Sequence, residues 1–202
     1  MKLYVTPGSP YARMARIVVI EKELGNRVET IVAQTRTADS PYYNINPSGR
    51  VPYLMRDDGI GYEESALICA YLDHLDNRPA FDLPVGAEPW EGWRMEAHAR
   101  SLLDGLAVWG REMARSKNEQ SPATIEHERA RGERMTRYWE SKSDHPVMQG
   151  ALNMAQLTLA CALGLEVRNS DFVWRTRNPK LAAWYDRIAE RPSFKATVPP
   201  RA

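Results

Sequence analysis

The chain has 202 residues, 43% of them hydrophobic and 26% charged, a balance that excludes a disordered polymer and can fill a core without disulfides or metals. Its 27 Lys and Arg against 26 Asp and Glu give a net charge of +1, so neither nucleic acid nor an anionic membrane has an electrostatic basis as main partner. Cys69 and Cys161 lie far apart inside apolar helical patterns and His74, His98, His127 and His145 show no ligand spacing, so two reduced, buried thiols and no metal are expected.

Met1 to Pro7 is not a signal peptide, and no stretch approaches the roughly 20 apolar residues that span a bilayer; a cytoplasmic protein is expected. Lys2 to Thr6 reads as a strand, Pro7-Gly8-Ser9-Pro10 as a turn, and Pro10 to Leu24 as a helix with an apolar face of Met14, Ile17, Val18 and Leu24, closed by Gly25 at the C-cap. Val28 to Val32 is a second strand. Thr35 to Asn46 is irregular, with room for one helical turn. Val51 to Arg56 and Ile60 to Tyr62 are strands joined by the hairpin turn Asp57-Asp58-Gly59, and a helix begins near Ser65 with Leu67, Ile68, Tyr71, Leu72 and Leu75 on its apolar side. The order β-α-β, irregular stretch, β-β-α implies a parallel pair extended by an antiparallel hairpin, which is a thioredoxin-like pattern.

Asn77 to Pro89, with Pro79, Pro84, Gly86 and Pro89, reads as a linker. The remainder is helical. Pro89 to about Arg115 carries apolar positions at Trp93, Ala97, Leu102, Leu106, Trp109 and Met113. Pro122 opens a charged helix to Ser141, Asn153 opens a buried helix over Met154 to Leu165, and Pro179 opens a last helix that stops at Arg191-Pro192. Two domains are therefore expected: 1–78, with a mixed four-stranded sheet, and 87–202, all-helical.

Four segments, in order, resemble the glutathione transferase superfamily, in its bacterial branch with a serine at the active turn. They are Ser9-Pro10-Tyr11-Ala12-Arg13, Asn46-Pro47-Ser48-Gly49-Arg50-Val51-Pro52, Glu64-Ser65 before an apolar helix, and Asn178-Pro179 through Trp184-Tyr185 to Arg191-Pro192-Ser193-Phe194. The resemblance implies a thioredoxin-like glutathione-binding domain followed by the family's helical domain. It also implies a cytoplasmic homodimer and a detoxifying transfer of the glutathione thiolate to a small, apolar electrophile, with glutathione as co-substrate and no metal.

Taken alone, Ser9 is a helix N-cap. The resemblance adds catalysis. Lowering a thiol pKa from roughly 8.5 by about two units takes about 2.7 kcal/mol. A hydroxyl hydrogen bond to a thiolate supplies roughly 1.5–3 kcal/mol, and a helix N-terminus roughly 0.3–1 kcal/mol. No general base is needed. Tyr4, inside the first strand, and Tyr11, which could wall the site, are rival hydroxyls ranked below Ser9.

The resemblance implies a cis Val51-Pro52 bond that turns the backbone of Val51 toward the cysteinyl part of glutathione. Glu64 and Ser65 read alone as a helix start without a capping box; the resemblance makes Ser65 the holder of the glutamyl α-carboxylate and Glu64 the partner of its ammonium. Arg50 either reaches the glycyl carboxylate or is a solvated loop charge. Asp104 is a surface or interface charge, although in some family members such an acid reaches the neighbouring subunit's ligand. Trp109 and Met113, with Met95 and Trp174, are candidates for the second-substrate pocket or for ordinary helix packing. At the buried helix the family's Ser/Thr-x-x-Asp is replaced by Asn153-x-x-Gln156, which still has capping residue types, and Leu152 and Leu157 have the spacing of a hydrophobic staple. A non-catalytic interaction module is the alternative, because this fold also serves as one; a glutathione-dependent peroxidase, dehalogenase or isomerase is a third.

Overall fold

The computed structural model describes residues 1–81 and 90–201. Residues 82–89, which hold most of the expected linker and the expected start of the second domain at 87, and Ala202, its expected end, lie outside the described residues. The chain divides into two compact units, Met1–Phe81 with Pro192–Pro199, and Asp82–Arg191 with Pro200–Ala202.

The first unit runs β1 (Lys2–Val5), α1 (Pro10–Glu21), β2 (Glu29–Val32), β3 (Tyr53–Met55), β4 (Gly61–Glu63) and α2 (Ser65–His74). The four strands form one sheet in the order β2-β1-β3-β4. β1 pairs parallel with β2, as a β-α-β crossover requires, and antiparallel with β3, which pairs antiparallel with β4. This is the thioredoxin-like mixed sheet. The β3–β4 hairpin turns at Gly59, whose φ of +81° lies in the region glycine enters without strain. Gly61 is required for space, because a Cβ there would stand 1.7 Å from the Tyr53 hydroxyl.

α1 has Pro10 in its first turn and buries Ala12, Met14, Ala15, Ile17, Val18 and Val19. It ends earlier than its periodicity suggests. Lys22 is the C-cap, Glu23 takes the left-handed conformation, and Gly25, expected at the C-cap, sits in a 3-10 turn over Leu24–Asn26. Lys22 is held instead by Asp73 and Asp76, at 3.4 and 3.0 Å. Asp73 is buried, and its carboxylate accepts the N–H groups of Ala80 and Phe81 at 2.9 and 3.0 Å. The first residues of the expected linker are thereby fastened to the first unit.

Pro192–Pro199 was expected in the helical domain and clusters with the first unit. The reason is Arg13. Its buried guanidinium donates to the Phe194 carbonyl at 3.2 Å and the Thr197 hydroxyl at 3.4 Å and lies 5.5 Å from the centre of the Phe194 ring. Ser193 adds a hydrogen bond to Glu21.

The second unit is helical: α3 (Glu91–Met113), α4 (Pro122–Ser141), α5 (Pro146–Gln149), α6 (Met154–Leu163) and α7 (Pro179–Ala189), with α8 (Pro192–Lys195) belonging to the first unit. α3 packs against α6 and α4. Its buried positions are Met95, Ala99, Leu102, Leu103, Gly105, Leu106 and Trp109, while Trp93, expected inside, is 55% exposed. All but the first residue of α6 are buried. Asn153 caps it, accepting from Gln156 N–H at 3.1 Å, whereas the Gln156 amide donates to the Val147 carbonyl at 2.6 Å. No described helix is long and apolar enough to cross a membrane.

Candidate glutathione site

Strand register brings the three N-terminal candidate segments to one end of the sheet. β1 ends at Val5 and leads into the turn that carries Ser9. Tyr4 pairs with Tyr53, so Val51-Pro52, just before β3, lies beside that same end of β1. Tyr53 also pairs with Glu63, so β4 ends there and delivers Glu64-Ser65. Two antiparallel pairings therefore gather residues some 55 positions apart in sequence along one sheet end.

Ser9 is the N-cap of α1. Its Oγ accepts the Ala12 N–H at 3.2 Å, and its own N–H donates to the Thr6 carbonyl at 3.1 Å. A serine hydroxyl carries one donor beside its acceptor sites, so capping and donation to a thiolate are compatible. The capping bond also draws electron density from the oxygen, which makes its hydrogen a better donor.

The loop before β3 is held by its own motif residues and by one residue, Tyr42, that sequence reading did not single out. Val51-Pro52 is cis. The Arg50 carbonyl just before it accepts from the Tyr42 hydroxyl at 2.5 Å and from the Asn46 side-chain amide at 3.0 Å. Asn46 Oδ1 in turn accepts the Ser48 N–H at 3.1 Å, and the Ser48 hydroxyl donates to Glu63 at 2.7 Å, joining the loop to β4. Gly49 has φ +66°, and a Cβ there would press to 2.8 Å from the Tyr43 ring. Burial pushes the Tyr42 hydroxyl above the usual phenol range, so it stays a donor to Arg50. Asn46 was visible as part of a motif; Tyr42, ten residues before Pro52, gave no local signal.

α2 starts differently from α1. Its N-cap position is Glu64, at φ +73° and ψ +122°, and the Glu64 side chain makes no capping hydrogen bond. A non-glycine residue held there stores about 1–3 kcal/mol of strain. Ser65 is buried in the first turn, where a helix N-terminus offers aligned N–H groups to an anion. Arg50 Nη1 stands 4.0 Å from Glu64 Oε1, with both side chains largely exposed, so the pair stays near the sheet end at little energetic gain.

Tyr4 is buried in a cluster with Tyr42 and Ala33, its ring 5.5 Å from that of Tyr42, so it has the core role. Tyr11 is half-buried in the first turn of α1. In the helical unit Asp104 is exposed, Met95 is fully buried, and Met113 is half-buried at the end of α3. Trp109 and Trp174 are 1% and 2% exposed and border one cavity to which Met113 and Met95 do not contribute.

A family profile described as glutathione S-transferase, N-terminal domain, matches residues 3–80. A GST-like protein of Escherichia coli K12, YibF, whose own role is uncharacterized, is 31% identical over 207 residues, covering 100% of both chains. A glutathione S-transferase of Methylobacillus flagellatus solved with glutathione bound is 29% identical, with a TM-score of 0.87 over 98% of this chain and 99% of its own. A transferase-family protein of Pseudomonas fluorescens Pf-5 solved with S-(propanoic acid)-glutathione is 30% identical, with a TM-score of 0.82 over 99% of this chain and 100% of its own.

Proposed function

The chain belongs to the glutathione S-transferase superfamily, and on that premise we propose that it binds glutathione at the sheet end described above and transfers its thiolate to a small electrophile. The observation that carries this reading is the convergence of Ser9, cis Val51-Pro52 and Glu64-Ser65 on one end of the sheet.

Each residue has a role that its surroundings support. The start of α2, with Ser65 in its first turn and no side-chain cap, receives the glutamyl α-carboxylate, and Glu64 pairs with the ammonium. The backbone of Val51 pairs with the cysteinyl amide like a short strand, held in place by Tyr42 and Asn46 through Arg50. Arg50 reaches toward the glycyl carboxylate, and Tyr11 walls the sulfur side. Ser9 donates its hydrogen to the sulfur, which favours release of the thiol proton to solvent. The thiolate then forms a carbon–sulfur bond as the electrophile's leaving group departs or its π bond takes up the electron pair. That the Pseudomonas relative was solved with an S-substituted glutathione supports a site open beyond the sulfur. Of the four residues expected around the electrophile, Met95, Trp109 and Trp174 are fully buried in the helical unit and are assigned to its packing.

We also propose a homodimer. Ile60 and Leu67 in the first unit, 51% exposed each, and Trp90, 71% exposed in the helical unit, are apolar surface that a second copy would cover. Light scattering should read about twice the chain mass.

Calorimetric titration of glutathione tests the binding half; no saturable heat would leave the interaction module as the better reading. A pH series of thiolate absorbance in the complex, with turnover of an activated chloronitroarene, tests the catalytic half. A bound thiol pKa no lower than that of free glutathione would remove Ser9 from the chemistry.

A further inference from the structure

Arg13 lies in the first turn of α1, and its N–H donates to the Ser9 carbonyl at 2.9 Å. The residue is 3% exposed. Nη2 donates to the Phe194 carbonyl, Nε donates to the Thr197 hydroxyl, the Phe194 ring lies beside the guanidinium, and Nη1 has no hydrogen-bond partner. Every one of these partners is neutral. Arg16, on the next turn, donates to the Ala196 carbonyl at 3.4 Å, and neither arginine makes an ion pair among the described residues. Burial, and then the charge of Arg13, pulls the Arg16 guanidinium below its ordinary value.

A buried cation without a carboxylate is costly, and the place of Arg13 adds to the cost. The N-terminal end of a helix carries partial positive charge and favours acids in its first turn. α1 has none there. Glu21, the one acid of α1, ends the helix two turns further on and is bonded to Ser193. Lys195 of α8 is a further, exposed cation. At the sheet end itself Arg50 and Glu64 are largely exposed, so water and salt screen them. The start of α1 therefore holds an excess of buried positive charge, and an anion held at its capping residue, Ser9, would offset it.

We propose that Arg13 is a positioning residue for the thiol: its buried charge, acting through the field and without touching sulfur, favours the anionic form of a thiol held at Ser9. This rests on the proposed placement of the glutathione sulfur at Ser9. A unit charge about 10 Å away, at an effective dielectric constant of about 20, moves a pKa by about one unit. The field of Arg13 thus adds to the Ser9 hydrogen bond and does not replace it.

The test places a thiol at that point in the full chain. In Ser9→Cys the new thiol can be followed by itself, because Cys69 and Cys161 are buried. Its pKa is read from thiolate absorbance and from the pH dependence of alkylation by iodoacetamide. Adding Arg13→Gln should raise that pKa by about one unit, leaving roughly tenfold less thiolate well below it. Adding Arg13→Lys should leave it near its starting value. Both substitutions disturb the Phe194 and Thr197 contacts, so lost stability in urea is common to them and the charge alone separates them. Thr197→Asp keeps Arg13 but gives it a carboxylate, and should raise the thiol pKa as Arg13→Gln does. With Ser9 intact, the thiol pKa of bound glutathione should follow the same order. An unchanged thiol pKa in either Arg13→Gln or Thr197→Asp would overturn the proposal, as would equal rises in Arg13→Gln and Arg13→Lys. Absence of glutathione binding in the wild type would instead sink the transferase reading, and the engineered thiol would still decide the role of Arg13.

Discussion

The two helices that meet the sheet end proposed to bind glutathione begin in opposite ways. α1 starts with a serine in ordinary extended backbone whose oxygen caps the helix. α2 starts at a glutamate in a positive-φ conformation with no side-chain cap. A capped helix start has spent much of its hydrogen-bonding capacity internally, and what Ser9 retains is one hydroxyl hydrogen, suited to a single sulfur atom. The start of α2, where the Glu64 side chain makes no capping bond, is the one proposed to meet a ligand with two oxygens, at the cost of strain at Glu64. Chemistry is thus assigned to the settled helix and binding to the strained one.

The sharpest way to break this division is at Ser9. Ser9→Ala removes both the cap and the thiolate contact, whereas Ser9→Gly removes the contact but costs only a few tenths of a kcal/mol in capping, against about 1 kcal/mol for alanine. Both should return the bound thiol about two pKa units upward, cutting the thiolate fraction at pH 7 from about three quarters to about 3%, roughly 25-fold, with glutathione affinity largely kept. Only the alanine variant should lose measurable stability to urea. Activity in Ser9→Gly near that of the wild type would reduce Ser9 to a cap.

Ser65→Ala addresses the other helix. Loss of a charge-assisted hydrogen bond of roughly 1.5–3 kcal/mol predicts glutathione binding about 10- to 100-fold weaker. The thiol pKa in the remaining complex should stay low. A variant in which affinity holds and the thiol pKa rises would reverse the assignment of the two helices.

What could be read in advance follows the same divide between local and distant causes. Ser9 as a cap, Pro10 and Pro122 at helix starts, the Asp57-Asp58-Gly59 turn and the capping Asn153 are written within a few residues of where they act. The supports of the site are not. Tyr42 reaches Arg50 by folding a loop back, Arg13 finds Phe194 and Thr197 from the far end of the chain, and Glu140 caps a helix 40 residues later. Sequence periodicity fails for Trp93 because α3's position in its bundle, not its pattern, decides which face is covered. Gln156, expected in a capping part, instead donates to the Val147 carbonyl, a choice its residue type leaves open because an amide both donates and accepts.

The strain at α2 gives a smaller effect of opposite sign on folding and function. Glu64→Gly removes the positive-φ penalty and should raise stability by about 1 kcal/mol, a Tm gain of about 2–4 °C for a chain of this size. Glutathione binding should weaken in the same variant, because the partner of the ammonium is gone. Glu64→Ala keeps the strain and loses the carboxylate, so it should weaken binding without the Tm gain. Equal Tm values for the two variants would mean that Glu64 stores no strain.

The smallest predicted effect concerns the other end of α2, where charge rather than an open helix start does the holding. Its hydrogen bond with Lys22 keeps the Asp76 carboxyl below the ordinary aspartate value of 3.8. A group whose folded pKa is depressed contributes its stability above the unfolded value, and that contribution disappears as pH falls through the lower, folded value. Asp76→Asn cannot titrate. Wild type should therefore be slightly more stable than Asp76→Asn in urea at pH 6, and the gap should close as pH falls below 3.8, while both remain folded enough to measure. Asp76 is open to solvent, so salt should shrink the gap at pH 6. A gap that ignores both pH and salt would assign the difference to the Arg78 N–H contact with Asp76, 3.0 Å long, and would leave Asp73 alone as the clamp on Lys22. The end of α2 would then resemble the start of α1, a helix terminus settled by hydrogen bonds within the protein.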